Sequence, residues 1–479
     1  MQNYPLIING QRIDSHQHSE VINPATGLPF ASCSQADVHV AQQAIGAAAQ
    51  AFNSWSKLSQ GQRQEYCHQI GAVIETNMPE LMQLICQETG KPMGGLNGVG
   101  AGMEVGGSAF WAHFTADLEL PVEILQDDDS GRVELHRKPL GVVASITPWN
   151  WPLLIATWHV IPALLAGNTV VIKPSPYTPI TTLRMVELAN SVLPPGVLNA
   201  ITGDGDVGNL LTSHPQTAKV IFTGSTPTGR KIMASASASL KRLTLELGGN
   251  DAGLVLPGTN LDSAMPAIFG CCFHNNGQTC AALKRLYVHR SQYQAMCDGM
   301  AAKARTVKVG NGLKEGTELG PVQNAAQLAI VESLVAAAKE EGGKVLCGGE
   351  RLPGDGYFYA PTVVAGLSNG SRLVDEEPFG PVLPIVAYDS LEEVIELAND
   401  NDAGLGGSVW ADDLDAAHAL AGKLACGTVW INDHGAVQPN MPFGGVKQSG
   451  LGVEFGLEGL KEMTSCQSIC IKPLAPKPS

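Results

Sequence analysis

An α/β fold of two or three domains is predicted by the length of the chain, its hydrophobic content and its pattern of alternation. The 479 residues exceed the size of a typical single domain, and 44% of them are hydrophobic, which is enough to form large cores. From Leu140 onward, short β-branched runs alternate with helical patterns. This alternation predicts parallel sheets with helices on both faces.

The first α/β region covers residues 140-248, which we group with residues 1-120 as one Rossmann-like, dinucleotide-binding domain. Its helices are predicted to begin near Pro152, Pro179, Asp206 and Pro227, since Pro, Thr and Asp are typical of helix N-termini. The predicted strands are Val142 to Ile146, Thr169 to Ile172, Val197 to Ile201 and Lys219 to Phe222.

A second α/β domain is predicted over residues 249-455, after Gly248 and Gly249. Its first strand is placed at Gly253 to Leu256 and is followed by a helix that leads to Cys280. The next strand, Arg285 to His289, precedes another long helix. This second domain therefore carries the Cys280 thiol and is expected to be catalytic.

A small β module is predicted from residues 121-139 and 456-479. It contains a turn at Asp127 to Gly131, the strand Val133 to Arg137 and an apolar run from Cys466 to Ile471. Exposed strand edges are usually paired, so this module is expected to contact another subunit. The alternative is a hairpin packed within its own subunit. The tail, residues 473–479, is expected to be frayed.

Composition argues against several classes of protein. The 11 cysteines include no Cys-x-x-Cys spacing, which fits neither a disulfide scaffold nor a zinc ribbon, and no metal site is expected. We expect reduced thiols, no signal peptide and a cytoplasmic location. The net charge of −15 disfavours a nucleic-acid partner. Residues 142–172 lack Asp, Glu, Lys and Arg, but repeated Pro and Asn residues indicate a buried core segment rather than a membrane span.

Cys280 is the strongest candidate for a catalytic residue. It lies in Asn275-Asn276-Gly277-Gln278-Thr279-Cys280-Ala281, a polar, glycine-bearing break after an apolar segment. Backbone amides left free at such a turn can stabilise both a thiolate and an oxyanion. The thiol is therefore predicted to act as a nucleophile.

Four short segments together resemble the aldehyde dehydrogenase superfamily, and the likeness runs over essentially the whole chain. Each segment alone is weak, but their order and separations are characteristic. They are Thr147-Pro148-Trp149-Asn150-Trp151-Pro152, Lys173-Pro174-Ser175-Pro176, Leu245-Glu246-Leu247-Gly248-Gly249 and Gly277-Gln278-Thr279-Cys280.

The resemblance implies oxidation of an aldehyde through a thiohemiacetal and a thioester on Cys280. The side chain of Asn150 and the backbone amide of Cys280 would hold the oxyanion, although Asn150 alone is equally typical of a helix N-cap. Glu246 would activate the water that hydrolyses the thioester, whereas without Cys280 it would be an ordinary solvated strand-end residue. Its presence argues against relatives that transfer the acyl group to coenzyme A.

The cofactor implied by the resemblance is NAD or NADP. Gly224 and Ser225 follow a strand and open a helix, where a pyrophosphate can bind. Pro176 stands where NAD-preferring relatives often have Glu, so NADP remains admissible. Lys173 would contact the adenine ribose, with a surface lysine as the alternative, and Glu377 and Phe379 would bind the nicotinamide ribose and ring. The resemblance adds three further contacts, Ile146, Trp149 and Ser175.

The substrate pocket is expected to be lined by Trp151, Trp158, Phe443 and His434, although aromatic residues on a helix are more often core. Two further positions are notable. His159 stands where many relatives have lysine, and Glu454 matches a family acidic residue near the catalytic water, with a surface Glu as the alternative. The motifs do not indicate which aldehyde is used. Arg285 could bind a substrate carboxylate or serve as a framework residue.

Two other functions remain open at the level of sequence. A cysteine hydrolase could use the same thiol, but it would need a histidine base, and His274 is the nearest in sequence. A binding or structural protein could keep the fold without its chemistry. By resemblance, the protein is expected to form a homodimer or homotetramer and to involve neither nucleic acid nor membrane.

Overall fold

The computed structural model describes residues 1–472. The frayed tail predicted at 473–479 lies outside the described residues. The strands are, in chain order, β1 (Gln2–Tyr4), β2 (Leu6–Ile8), β3 (Gln11–Ile13), β4 (His18–Asn23), β5 (Leu28–Ser34), β6 (Glu123–Asp128), β7 (Gly131–Pro139), β8 (Val142–Ile146), β9 (Thr169–Lys173), β10 (Leu198–Ala200), β11 (Thr217–Thr223), β12 (Arg242–Glu246), β13 (Asp251–Val255), β14 (Leu283–His289), β15 (Lys344–Cys347), β16 (Thr362–Ala365), β17 (Val382–Tyr388), β18 (Ala403–Gly404), β19 (Gly406–Trp410), β20 (Thr428–Ile431), β21 (Val446–Lys447), β22 (Gly450–Leu451) and β23 (Thr464–Ile471).

The helices surround these strands. They are α1 (Val38–Trp55), α2 (Gln60–Thr76), α3 (Met78–Thr89), α4 (Ala101–Ala116), α5 (Pro152–Leu165), α6 (Ile180–Ala189), α7 (Gly205–Ser213), α8 (Thr226–Ala236), α9 (Leu261–Phe273), α10 (Tyr293–Thr306), α11 (Ala325–Glu340), α12 (Arg372–Asp375), α13 (Leu391–Asn399), α14 (Leu414–Ala421) and α15 (Gly456–Glu462).

The first large sheet has the order β22-β12-β11-β8-β9-β10-β2-β3. Its five central strands, β12, β11, β8, β9 and β10, are parallel to one another. β22 pairs antiparallel with β12, and β2 pairs antiparallel with β10. The chain leaves β8 towards β9 and β10, then returns to the other side of β8 for β11 and β12. This reversal creates a switch point at the carboxyl ends of β8 and β11, where open α/β sheets bind ligands.

The second large sheet has the order β15-β16-β17-β14-β13-β19-β20, and only β15 runs antiparallel to its neighbour. The chain passes directly from the carboxyl end of β12 to the amino end of β13. The carboxyl-terminal edge of the first sheet therefore faces the amino-terminal edge of the second sheet, and the candidate active site lies between these two edges. Both sheets match the predicted α/β fold class, and the predicted strands agree with the observed ones to within a few residues at each end.

The predicted β module forms a three-stranded sheet with the order β23-β7-β6. β23 pairs antiparallel with β7 along its whole length, from Thr464 opposite Pro139 to Ile471 opposite Arg132. Both outer strands carry exposed apolar side chains, namely Ile124 and Leu125 on β6 and Ile469 and Ile471 on β23. The domain boundaries and the contact with another subunit remain predictions.

The apolar segment at 142–172 forms β8, α5 and β9, and nearly all of its residues are buried. Within residues 1–472, no helix is long and apolar enough to cross a membrane. All eleven cysteines carry free thiols.

Candidate active site

A cavity of about 500 Å³ lies at the switch point of the first sheet, between the two large sheets. Ten of the predicted site residues line it: Ile146, Trp149, Asn150, Lys173, Ser175, Gly224, Ser225, Cys280, Glu377 and Phe379. Its volume is in the range expected for a small-molecule or cofactor site. Glu246 and the four predicted substrate-pocket residues do not line this cavity.

Cys280 reaches the cavity because the chain turns sharply after α9. Asn275 and Asn276 adopt left-handed conformations with φ of 50° and 58°, and Gly277 follows with φ of 66°. Asparagine and glycine tolerate this region better than other residues. The Cys280 thiol is partly exposed. Burial raises its pKa to about 12, and the Lys284 cation opposes that shift.

Asn150 is held beside the Cys280 loop rather than capping a helix. Its Nδ2 donates to the main-chain oxygen of Gln278 at 2.9 Å, and Trp151 occupies the N-cap position of α5. The residue is 4% exposed. An amide Nδ2 carries two N–H groups, so one remains for another acceptor. The N-cap alternative therefore does not describe this residue.

A buried ion pair supports the turn at Asn150, and sequence reasoning missed it. Lys91 pairs with Glu104, and Lys91 Nζ also donates to the main-chain oxygen of Asn150 at 3.0 Å. Glu104 Oε1 accepts hydrogen bonds from the first amides of α5, at 3.0 Å from Leu153 and 3.4 Å from Leu154. Both charged side chains are fully buried. No motif indicates them, because the pair is 13 residues apart and the backbone that it supports lies 49 to 59 residues further along the chain.

Glu246 is buried at the end of β12, with 3% exposure, so it is not a solvated strand-end residue. Neither carboxylate oxygen has a hydrogen-bond partner among residues 1–472. Burial, with a smaller effect from the charge of Glu454, raises the pKa of Glu246 well above its ordinary value. A carboxylate whose pKa is raised binds a proton more readily than an ordinary glutamate does.

Glu454 and His159 form a buried pair behind Glu246. His159 Nε2 lies 3.1 Å from Glu454 Oε1 and 3.1 Å from Thr223 Oγ1, and His159 Nδ1 lies 2.9 Å from Ser145 Oγ. Glu454 is buried, so its interpretation as a surface residue was wrong. The Glu454 carboxylate thus has a histidine neighbour in this chain.

The predicted cofactor residues follow the edge of the first sheet. Lys173 ends β9 and is buried, so the alternative of a surface lysine was wrong, and burial lowers its pKa. Ser225 is the N-cap of α8, and its side chain makes no capping hydrogen bond to the helix backbone. Trp149 meets the ring of Phe379 edge-on, with 5.3 Å between centroids.

Glu377 enters the cavity from the loop before β17, a strand of the second sheet, and is held by Lys284. Sequence reasoning also missed Lys284. The Lys284 Nζ to Glu377 Oε1 distance is 2.6 Å. A Cβ atom on Gly248 would lie 2.5 Å from Glu377 Oε2, so a larger residue there would displace the end of the Glu377 side chain.

Of the predicted substrate-pocket residues, Trp158 and Phe443 belong to an apolar cluster that includes Cys280. The sequence did not indicate three other members of this cluster, Trp111, Phe455 and Trp430. Ring centroids are 4.6 Å apart for Trp158 and Phe455 and 5.5 Å apart for Trp111 and Trp158.

The other two predicted pocket residues have different surroundings. Trp151 donates from its indole nitrogen to Thr279 Oγ1 at 3.0 Å and packs against Leu154 and Ile155. His434 is buried, with Nε2 3.4 Å from Asp251 Oδ2. Both residues border the cluster that includes Cys280, because Trp151 packs in a group that also contains Trp158 and the His434 ring lies 5.0 Å from the Trp430 ring. Their place in a substrate pocket stays a prediction.

The sequence left two alternatives open, a substrate-binding role for Arg285 and a histidine base for Cys280. The hydrogen bonds and charges around these residues bear on both. Arg285 donates to the main-chain oxygens of Asn250 and Ala398 and is buried, so it is a framework residue. His274 Nδ1 lies 2.9 Å from the oxygen of Gly270, and burial lowers the pKa of His274 to about 4. The charged groups that act most on Cys280 are Lys284, Glu246, Glu377 and Asp251.

Comparison with known proteins agrees with this geometry. The model of the aldehyde dehydrogenase family matches residues 12–469. The chain is 38% identical over 487 residues to phenylacetaldehyde dehydrogenase of Pseudomonas fluorescens, covering 98% of this chain and 96% of the relative. It is 38% identical over 491 residues to betaine aldehyde dehydrogenase of Bacillus subtilis strain 168, covering 97% and 96%.

A solved structure of betaine aldehyde dehydrogenase from Staphylococcus aureus, in complex with NAD⁺, superposes with a TM-score of 0.94 at 32% identity and covers 99% of this chain and 96% of that one. An aldehyde dehydrogenase mutant from Bacillus cereus gives a TM-score of 0.95 at 34% identity, covering 98% and 96%. These matches confirm the resemblance and the fold class. The chain belongs to the aldehyde dehydrogenase family and is an aldehyde-oxidising enzyme.

Proposed function

We propose that this enzyme oxidises an aldehyde to a carboxylate with NAD or NADP, using Cys280 as nucleophile, Asn150 as oxyanion donor and Glu246 as general base. The observation that carries the proposal is the convergence of Cys280, Asn150, Glu377 and Phe379 on one cavity. An aldehyde substrate and a dinucleotide must meet at such a point for hydride transfer.

The residues present fit a dinucleotide. Lys173 and Ser175 line the cavity along with Glu377 and Phe379, which come from the other sheet. The N-terminus of α8 offers backbone amides and a helix dipole to a pyrophosphate, and Ser225 leaves them without a side-chain cap. Glu377 would accept hydrogen bonds from the nicotinamide ribose, and the Phe379 ring would pack against the nicotinamide. When bound, the coenzyme supplies a hydride acceptor.

The first chemical step belongs to Cys280. The thiol loses its proton to water, the thiolate sulfur adds to the carbonyl carbon of the aldehyde, and the carbonyl oxygen takes up the negative charge. The second N–H of Asn150 and the backbone amide of Cys280 are the proposed donors to that oxygen. Loss of a hydride from the same carbon leaves a thioester on the sulfur.

The second step belongs to Glu246. Its carboxylate removes a proton from water, the water oxygen attacks the thioester carbon, and the carbon–sulfur bond breaks to release the carboxylate product. The raised pKa of Glu246 supports this role, because the group then accepts a proton more readily from water. The buried Glu454 and His159 lie in the same region and are candidates for carrying the proton onward.

The test is Cys280→Ser, assayed for NAD(P)H formation with a panel of aldehydes and both coenzymes. We expect activity to fall by several orders of magnitude while coenzyme binding is retained. Undiminished NAD(P)H formation would refute the proposal. Esterase turnover without a dinucleotide would instead favour the hydrolase alternative.

The exposed apolar residues of β6 and β23 support a further part of the proposal, that this sheet contacts another subunit in a homodimer or homotetramer. Light scattering of Leu125→Asp beside the wild type tests it, because a buried charge at the contact would lower the oligomer mass. The free thiols support a cytoplasmic location.

A further inference from the structure

Lys284 is a buried cation that no motif of the sequence indicates and that the proposed chemical steps do not use. It is the second residue of β14, and its side chain is 3% exposed. Its Nζ lies near four oxygen atoms. They are the main-chain oxygens of Cys280 at 2.7 Å, Thr279 at 2.8 Å and Gly249 at 3.2 Å, and Glu377 Oε1 at 2.6 Å.

These contacts join three segments of the site. One follows β12 and Glu246, one carries Cys280, and one carries Glu377. All four neighbouring oxygens are hydrogen-bond acceptors, and an ammonium is a donor only, so the contacts are chemically matched. Burying a strongly hydrated ammonium costs free energy unless its N–H groups find hydrogen-bond acceptors. The acceptors around Lys284 therefore indicate a specific role for this residue.

We propose that Lys284 is a positioning residue, which keeps the Glu377 carboxylate ionised and oriented for the coenzyme ribose and fixes it to the loop that bears Cys280. This inference rests on the proposed coenzyme site at Glu377. Burial raises the pKa of Glu377, and Asp251 acts in the same direction, whereas Lys284 and the amide of Gly249 oppose the shift. Without Lys284, the Glu377 carboxyl group would take up a proton more readily and accept fewer hydrogen bonds.

The first experiment measures equilibrium binding of NAD and of NADP, without aldehyde, by fluorescence titration between pH 6 and 9. Lys284→Met should weaken binding by about tenfold or more, since truncating one partner of a buried charge pair is costly. The loss should grow as pH falls, and Lys284→Arg should restore part of the affinity. The matched control is Lys461→Met, which removes an ion pair with Glu458 in which the lysine side chain is 24% exposed, compared with 3% for Lys284. Wild-type affinity in Lys284→Met would overturn the proposal.

The second experiment combines Lys284→Met with Glu377→Gln. If Lys284 acts through Glu377, its loss should have little further effect on coenzyme binding in the Glu377→Gln background. Purely additive effects would mean that Lys284 acts independently of the carboxylate and would contradict the proposal.

A third measurement needs neither coenzyme nor Lys284→Met. Iodoacetamide alkylation of Cys280 is followed by mass spectrometry, with the wild type under identical conditions as the reference. Lys284 is the one cation among the main charges acting on Cys280, the others being Glu246, Glu377 and Asp251. Glu377→Gln should therefore speed alkylation, because it removes a carboxylate that raises the pKa of Cys280 and leaves the opposing effect of Lys284 in place. An unchanged rate of alkylation would overturn the proposal. In the first experiment, absence of coenzyme binding in the wild type would instead count against the proposed function.

Discussion

The Nε2 atom of His159 lies 3.1 Å from Oε1 of Glu454, and both side chains are buried. Ser145 and Thr223 hold the two ring nitrogens from neighbouring strands. A neutral imidazole carries one donor and one acceptor nitrogen, whereas a lysine ammonium only donates. The carboxylate pair Glu246 and Glu454 therefore has a neighbour suited to proton transfer.

Replacing His159 with Phe should lower kcat by about tenfold and alter its pH dependence, because Glu454 would be left buried without its imidazole neighbour. Steady-state kinetics from pH 6 to 9 would measure the effect. His418→Phe, at an exposed position on α14, is the control. A pH profile that superposes on that of the wild type would show that His159 only fills space.

Replacing Glu246 with Gln should slow hydrolysis of the thioester by a factor of about 10² to 10⁴ and leave the first turnover intact. The measurement is a stopped-flow burst of NAD(P)H equal to the active-site concentration. Because the pKa of Glu246 is raised, its base form increases as pH rises, so wild-type hydrolysis should accelerate with pH through that pKa. The variant should lose this acceleration. A variant without a burst would mean that Glu246 acts before hydride loss.

Replacing Pro176 with Glu should lower kcat/KM for NADP at least about tenfold relative to NAD, because a carboxylate would repel a 2′-phosphate. Pro176 lines the cavity close to Lys173 and Ser175. Pro176→Gln is the matched control, since it adds a side chain of the same size without charge. Equal changes for both coenzymes in Pro176→Glu would place the adenine ribose elsewhere.

Replacing Lys91 with Met should destabilise the protein by about 3–5 kcal/mol, because Glu104 would remain buried without its partner. Calorimetry would show a lower Tm, and the double replacement with Glu104→Leu should recover part of the loss. Arg290 and Asp389 provide the comparison, as an ion pair with both side chains more than half exposed. Arg290→Met should cost less than about 1 kcal/mol. Similar losses at the two sites would contradict the argument from burial.

Much of the fold could be predicted because its signals are local. Val142 to Ile146 and the start of α5 at Pro152 coincide with the observed boundaries, since β-branched runs and a proline at the first helical turn act within a few residues. The segments near the N-terminus were harder. β2 and β3 join the first sheet beside β10, and nothing in their short sequences indicates that partner.

The candidate site was predicted where contiguous motifs carry it, as at Asn150, Glu246 and Cys280. The surroundings of these residues were not predicted. From the sequence alone, Glu246 and Lys173 are equally compatible with exposed positions, because exposure depends on which other segments of the chain cover them. The aromatic residues Trp111 and Phe455 come from α4 and from the residue before α15, so their contact with Trp158 has no sequence signature.

The sequence alone predicted the α/β class, the family and the identity of the thiol nucleophile, because periodicity and short motifs are properties of neighbouring residues. The tertiary structure decided which ionisable side chains lie next to one another. Lys284 with Glu377, Lys91 with Glu104 and His159 with Glu454 are pairs drawn from separate segments. Burial then sets their energetics, since the strength of a charge interaction depends on the solvent that the rest of the chain excludes.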